Sequence, residues 1–152
     1  MDKTKESASR FNALIKENED VYKTIAKRIG LSECGMWIMY LIREQGKEIT
    51  QSYICSMIYT SKQTVNSSIK QLIKDGYLET RIGSDKRSRL IKLTAKGEDL
   101  ARETADKILD AEYDTMNALS EAEQEQFLSL FRKYTDALKE RMSELGKEKE
   151  EK

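Results

Sequence analysis

Residues 81–94, RIGSDKRSRLIKLT, hold one carboxylate and five cations, and the carboxylate and three of the cations fall together among the small residues of 83–89. Gly83, Ser84, Asp85, Lys86, Arg87 and Arg89 make a basic turn, flanked by the alternating apolar residues of YLETRI and RLIKL. The alternation predicts two strands joined by a hairpin. Cations at such a tip suit phosphate contact, and an arginine entering a narrow minor groove meets an enhanced negative potential. Arg87 is the candidate for the groove, and Lys86 and Arg89 for the phosphates. Asp85 would repel phosphate if unpaired, so its expected task is to hold an arginine in one rotamer before binding.

Directly upstream lies SKQTVNSSIKQLIKDG. Val65, Ile69, Leu72 and Ile73 fall at i, i+4, i+7 and i+8 and predict the buried stripe of a helix. The rest of its first two turns is Ser61, Lys62, Gln63, Thr64, Asn66, Ser67, Ser68 and Lys70. Ser, Thr, Asn and Gln weaken a helix but donate to and accept from base edges. Gln51, at the start of the preceding helix, joins this DNA-facing set. Thr60 and Gln63 fit a capping box, T-x-x-Q, at the start of the helix.

The charge balance points the same way. Lys and Arg number 27, as do Asp and Glu, so the net charge is zero. Residues 1–60 carry +1, residues 61–97 carry +6 and residues 98–152 carry −7. The basic middle needs an anionic partner, and the acidic end must point away from it. With no histidine in the chain, His-dependent acid–base and nucleophilic catalysis is excluded and a zinc site would need unusual ligands. There is no glycine-rich phosphate loop and no convergent set of carboxylates, so an enzyme is a poor fit, and no cofactor or metal is expected. No stretch approaches 18 consecutive apolar residues, and MDKTKESASR lacks a signal-peptide core, so a cytoplasmic protein without membrane contact is expected.

The elements that must position these residues follow from periodicity. Residues 7–29 put Phe11, Leu14, Ile15, Val21, Tyr22 and Ile25 on one helical face, and Gly30 ends the run. Ser32 caps a second, mostly buried helix that stops at Gly46. A short extended piece at 48–50 leads into a helix over QSYICSMIYT, and only about two residues separate it from the next. Gly76 closes that helix, about residues 61–75, and the hairpin spans about 78–93. Thr94 is the expected N-cap of one long helix with Leu100, Ala101, Ala105, Ile108 and Met116 inward. Ser120 and Glu123 form a second capping box, S-x-x-E, opening a last helix. Its seam of Phe127, Leu130, Phe131, Tyr134, Leu138, Met142 and Leu145 is too long for a chain of this size to cover alone, so a homodimer is expected.

The order is helix, helix, short strand, helix, helix, hairpin, helix, helix: mainly α with a small β-wing, a helix-turn-helix followed by two strands. The run Asp85-Lys86-Arg87, five residues, Leu93-Thr94, two residues, Gly97 resembles the D-x-R-x5-L-T-x-x-G signature of the multiple-antibiotic-resistance regulator (MarR) family. TVNSSIKQLIKDGYLE is similar to that family's recognition helix and its exit into the wing, and the element order fits over residues 7–145. The resemblance implies a winged helix-turn-helix over residues 31–97 and dimerisation helices in residues 1–30 and 98–146. The charged tail at 147–152 is expected from its own residues to be disordered. It implies a homodimer on a pseudo-palindromic operator of double-stranded DNA, repressing until a small molecule or an oxidant releases it. Arg87 then becomes the minor-groove arginine with Asp85 its structural partner, and Lys62, Gln63, Asn66 and Ser67 read bases.

The family seats effectors between its dimer helices and DNA-binding lobe. Tyr22, Met36, Trp37, Tyr40 and Tyr53 occupy the matching neighbourhood and are enough to line an aromatic pocket. Cys34 and Cys55 both lie in apolar helical stretches and read first as small buried hydrophobes. The early first-helix cysteine of peroxide-sensing members has no counterpart here, which leaves Cys34, near a helix N-terminus, as the better redox candidate. Two other readings use the same residues: an architectural DNA-binding module without sequence preference, and a winged-helix module that binds protein.

Overall fold

In a chain without proline, helices end where glycine or a capping side chain ends them. The computed structural model describes residues 2–145, so the expected tail at 147–152 lies outside the described residues. Its elements are α1 (Lys3–Ile29), α2 (Glu33–Gln45), β1 (Ile49–Thr50), α3 (Gln51–Met57), α4 (Lys62–Lys74), β2 (Leu78–Ile82), β3 (Arg89–Leu93), α5 (Ala95–Glu103), α6 (Ala105–Asn117) and α7 (Glu121–Glu144). Gly30 and Gly46 close α1 and α2 at φ of 73° and 65°, in the left-handed region that glycine enters without strain. Ser32 caps α2 as expected, its hydroxyl accepting from the Gly35 amide at 3.0 Å.

The chain divides into two compact units, one up to Leu109 and one from Asp110. In the first, α2 supplies the middle of the core. Ile38 and Met39 are fully buried and cluster with Ile54, Val65, Ile69, Leu72, Leu78 and Ile91. The wing is a sheet of three strands, not two. β1 pairs antiparallel with β3 through Ile49↔Ile91 and Thr50↔Leu90, giving the order β1-β3-β2. The short strand expected at 48–50 is thus present as β1, and its pairing with β3 is what the local sequence does not show. β2 and β3 keep the register Leu78↔Leu93 to Ile82↔Arg89, which turns Leu78 and Ile91 into the core and sets Glu79 against Lys92 at 3.0 Å outside.

Four local expectations are corrected. α3 ends at Met57 with Ile58 as its C-cap, so residues 58–61 separate it from α4. The Thr60–Gln63 capping box does not form. Ser61 caps α4 instead, accepting from the Thr64 amide at 3.1 Å, because the Thr60 amide is drawn onto the Ile58 carbonyl in a tighter turn. Ile73 is 37% exposed, and the buried face of α4 ends at Leu72. The single long helix after Thr94 is broken at Thr104 (φ −128°, ψ −81°). Thr104 is buried, and its hydroxyl donates to the Leu100 carbonyl at 2.7 Å, a back-bond that bends helices. Ala101, Ala105 and Leu109 are buried beside this bend, while Ile108 and Met116 are only half-buried.

Arg43, near the end of α2, donates through Nε and Nη2 to Asp106 at 2.7 and 2.5 Å and through Nη1 to Glu98. This fork ties α2 to the first turns of α5 and α6. The Arg43 hydrogen bonds hold the Asp106 carboxyl below its ordinary range. In the second unit the Ser120–Glu123 capping box forms as expected, and α7 carries no buried residue.

The exit of α4 and the start of α5 meet at one point. The Thr94 hydroxyl accepts from the Gly97 amide at 3.0 Å and donates to the Gly76 carbonyl at 2.5 Å. The Thr94 amide donates to the Tyr77 carbonyl at 3.1 Å. A Cβ on Gly97 would stand 2.0 Å from that same Tyr77 oxygen. Gly97→Ala therefore must push the wing base off α5 and is expected to cost about 1–3 kcal/mol in urea unfolding. An unchanged midpoint would contradict this reading of the junction.

Candidate nucleic-acid interface

α4 is amphipathic in the sense its sequence predicts. Val65, Ile69 and Leu72 face the core, while Lys62, Gln63, Ser67 and Lys70 are exposed on the opposite side. Ser61 and Thr64 are committed to the helix start, with their hydroxyls 2.9 Å apart and Ser61 capping. Asn66 is half-buried, and its Oδ1 accepts from Gln51 Nε2 at the start of α3. That bond ties the two helices of the helix-turn-helix together. Gln63 and Ser67 are left as the exposed uncharged groups best able to meet base edges, with Asn66 held beside them.

At the wing tip, the carboxylate of Asp85 does not hold a guanidinium. Its Oδ1 accepts from the Ser88 hydroxyl at 2.6 Å and from the amides of Ser88 and Arg87 at 2.9 and 3.1 Å. The expected rotamer clamp is thus a backbone clamp: Asp85 folds the turn on which Arg87 sits. These bonds, led by the Ser88 hydroxyl, hold the Asp85 carboxyl below the usual carboxylate range. The turn closes with the Gly83 amide on the Ser88 carbonyl at 2.8 Å, and Lys86 takes a left-handed φ of 58°.

The nine cations of residues 61–97 separate into two groups. Arg81 is paired with Glu48 and Lys92 with Glu79. Lys96 donates to the Asp75 carbonyl at 2.7 Å and lies over the Tyr77 ring. Lys62, Lys70, Lys74, Lys86, Arg87 and Arg89 are exposed and form no ion pair among the described residues. The unpaired cations therefore sit on α4 and at the wing, which are the two parts of a winged helix-turn-helix that meet DNA.

A cleft of about 850 Å³ opens between α1, α2 and the α3–α4 turn. Tyr22, Trp37, Tyr40 and Cys34 line it. The two other expected pocket residues do not: Met36 is 1% exposed inside the core, one position round α2 from Trp37, and Tyr53 packs against the core cluster from α3. The sequence reading missed Tyr59 and Thr60, which also line the cleft, because a turn carries no periodicity. Burial is the largest influence on the Cys34 thiol and pushes it up, with a hydrogen bond from Ser68 opposing. A raised thiol holds little thiolate at neutral pH, which weakens Cys34 as a redox candidate. Among the described residues no cluster of metal-ligating side chains exists, and no helix is long and apolar enough to cross a membrane.

The MarR family model matches residues 36–88, from α2 to the wing tip. Over 105 residues the chain is 31% identical to the uncharacterised HTH-type transcriptional regulator YwoH of Bacillus subtilis, covering 69% of this chain and 76% of that protein. The chain belongs to the MarR family. Members of this family are DNA-binding transcription regulators, not enzymes. A second relative, the HTH-type transcriptional regulator PetP of Rhodobacter capsulatus, is 34% identical over 102 residues, covering 66% of this chain and 58% of that protein. Among solved structures, a MarR family regulator from Neisseria meningitidis shares the fold at a TM-score of 0.74, 20% identity and coverage of 95% and 99% of the two chains. MepR of S. aureus in its DNA complex follows at 0.68, also 20% identical, covering 86% of this chain and 95% of that one.

Because its folded-state value is depressed, the Asp85 bonds are fully present above the ordinary aspartate value of about 3.9 and are lost as pH falls through the lower folded value. In an NMR titration, the Arg87 and Ser88 amides are expected to move together, with a midpoint below the ordinary aspartate value of about 3.9. Movement centred at or above the ordinary value would contradict the backbone clamp.

Proposed function

We propose that this MarR-family protein is a homodimeric repressor, acting in the cytoplasm on a pseudo-palindromic operator and released by a small molecule. The observation that carries this reading is the coincidence of unpaired cations with an amide- and hydroxyl-bearing helix face. Lys62, Lys70 and Arg87 offer charge where Gln63, Asn66 and Ser67 offer hydrogen bonds. Electrostatic contact with phosphate supplies affinity, and base-edge contact supplies choice of sequence. MepR, a fold relative, is known in a DNA complex, which supports the same use of the fold here.

Dimerisation is supported by α7. Phe127, Leu130 and Met142 are 52%, 59% and 55% exposed, and Leu14 and Val21 on α1 are 63% and 56% exposed. Apolar faces of this length call for a partner chain. We assign residues 1–30 and 98–146 to that dimer and residues 31–97 to DNA. Two recognition helices would then stand about one DNA turn, ~34 Å, apart. Of the two release signals, the raised Cys34 thiol favours the small molecule over an oxidant.

Sedimentation is expected to give twice the 17.6 kDa chain mass, and Leu130→Glu with Leu138→Glu to give the monomer. On a duplex carrying the preferred site, Arg87→Ala should weaken binding by about 1–3 kcal/mol with the dimer intact. Lys86→Ala should weaken all sequences alike and lower the salt slope by about 1. A monomeric parent, or Arg87→Ala binding as tightly as the parent, would overturn the proposal.

A further inference from the structure

The cleft has a charge and a chemistry of its own. Along α2, Glu33, Trp37, Tyr40 and Glu44 fall at i, i+4, i+7 and i+11 and line one wall. α1 adds Glu19 and Tyr22. The Trp37 ring centroid is 4.7 Å from that of Tyr22 at 42° and 5.2 Å from that of Tyr40 at 78°. Trp37, inclined to both tyrosine rings, makes an aromatic corner with them, not a stack. Leu41 and Ile58 add apolar surface, and Lys23 is the one cation beside the three carboxylates.

We propose that this cleft takes a lipophilic organic cation and that the bound cation loosens the hold on DNA. The inference deepens the effector-release reading by naming the class of effector. Ring faces attract cations through their quadrupole, and carboxylates around the rim favour positive charge over negative. An aromatic carboxylate would face three like charges against one lysine. A metal ion is a poor occupant, because the carboxylates do not converge into a ligand cluster. A cation that spreads its charge over apolar groups uses the rings, the apolar surface and the carboxylates together.

The same cleft reaches the DNA-binding element. Tyr59 and Thr60 of the α3–α4 turn line it, and so does Thr64 in the first turn of α4. Tyr59 is fully exposed, and the Thr64 hydroxyl lies 2.9 Å from the capping hydroxyl of Ser61. An occupant that moves this turn moves the start of the recognition helix, the part that enters the groove. Differential affinity for that arrangement is what couples the two sites.

Trp37 is the sole tryptophan of the chain, so its emission reads the cleft directly. Tetraphenylphosphonium and tetraphenylborate are ions of one shape and opposite charge. The cation is expected to quench Trp37 saturably and to bind about tenfold more tightly than the anion. The variant Glu19→Gln/Glu33→Gln/Glu44→Gln, at exposed positions and with its helicity checked by circular dichroism, should lose that preference. Equal or tighter binding of the borate, no saturable quenching, or an unchanged preference in the variant would overturn the cation site. A parallel anisotropy titration on labelled duplex reads the coupling: the phosphonium should raise the DNA Kd, and an unchanged Kd with the cleft filled would overturn that half. The Trp37 measurement contains no DNA, so a parent that fails to bind DNA would overturn the repressor reading while leaving the cation site separately decided.

Discussion

Four residues, Gly76, Tyr77, Thr94 and Gly97, hold α4, the wing and the start of α5 together. Gly76 ends the recognition helix, and its carbonyl takes the Thr94 hydroxyl. The Tyr77 carbonyl takes the Thr94 amide, and its close approach leaves no room for a side chain on Gly97. One hydroxyl thus joins the helix exit, the return strand of the wing and the N-terminus of α5. Because α4 and the wing leave the same point, the angle between them is set by short bonds and not by a flexible linker. A site read by a helix and a wing together depends on that fixed angle.

This junction divides the signature D-x-R-x5-L-T-x-x-G into two jobs. Leu93, Thr94 and Gly97 are structural, since each packs or bonds at the base of the wing. Asp85 is structural too, folding the tip through backbone amides. Of the signature's polar side chains, Arg87 alone is exposed with neither a hydrogen bond nor an ion pair among the described residues, whereas the exposed Asp85 carboxylate is spent on the turn. Most of the pattern exists to put one arginine at a defined place. The acid–base pairs nearby serve the same end. By neutralising Arg81 and Lys92, Glu48 and Glu79 restrict the open charge to α4 and the tip.

Much of this is legible in the residues alone. The apolar period of α4, the glycines after α1, α2 and α4, the caps at Ser32 and Thr94 and the box at Ser120–Glu123 are local, and local chemistry decides them. What was not legible depends on contacts between distant residues. The short strand at 48–50 was legible, but its place in the wing sheet was not, because that rests on Ile91 standing opposite Ile49. The bend at Thr104 requires a buried hydroxyl reaching back to Leu100, which a helical pattern of Ala101 and Ala105 does not reveal. Ser61 and Thr60 are equally good caps by type, and the path of the turn chose between them. Of the aromatic set, Met36 and Tyr53 fell away because burial of α2 on two sides hides one face in the core and opens the next to the cleft.

The central claim is that two copies of one rigid helix–wing unit read two copies of one DNA word. Selection of bound fragments from a random duplex pool tests it most directly. A palindrome with half-sites about one turn apart, far preferred over a scrambled duplex at the same salt, is the predicted result. Enrichment of no sequence, with equal and steeply salt-dependent binding to every duplex, would contradict it and leave the basic surface as an electrostatic footprint only.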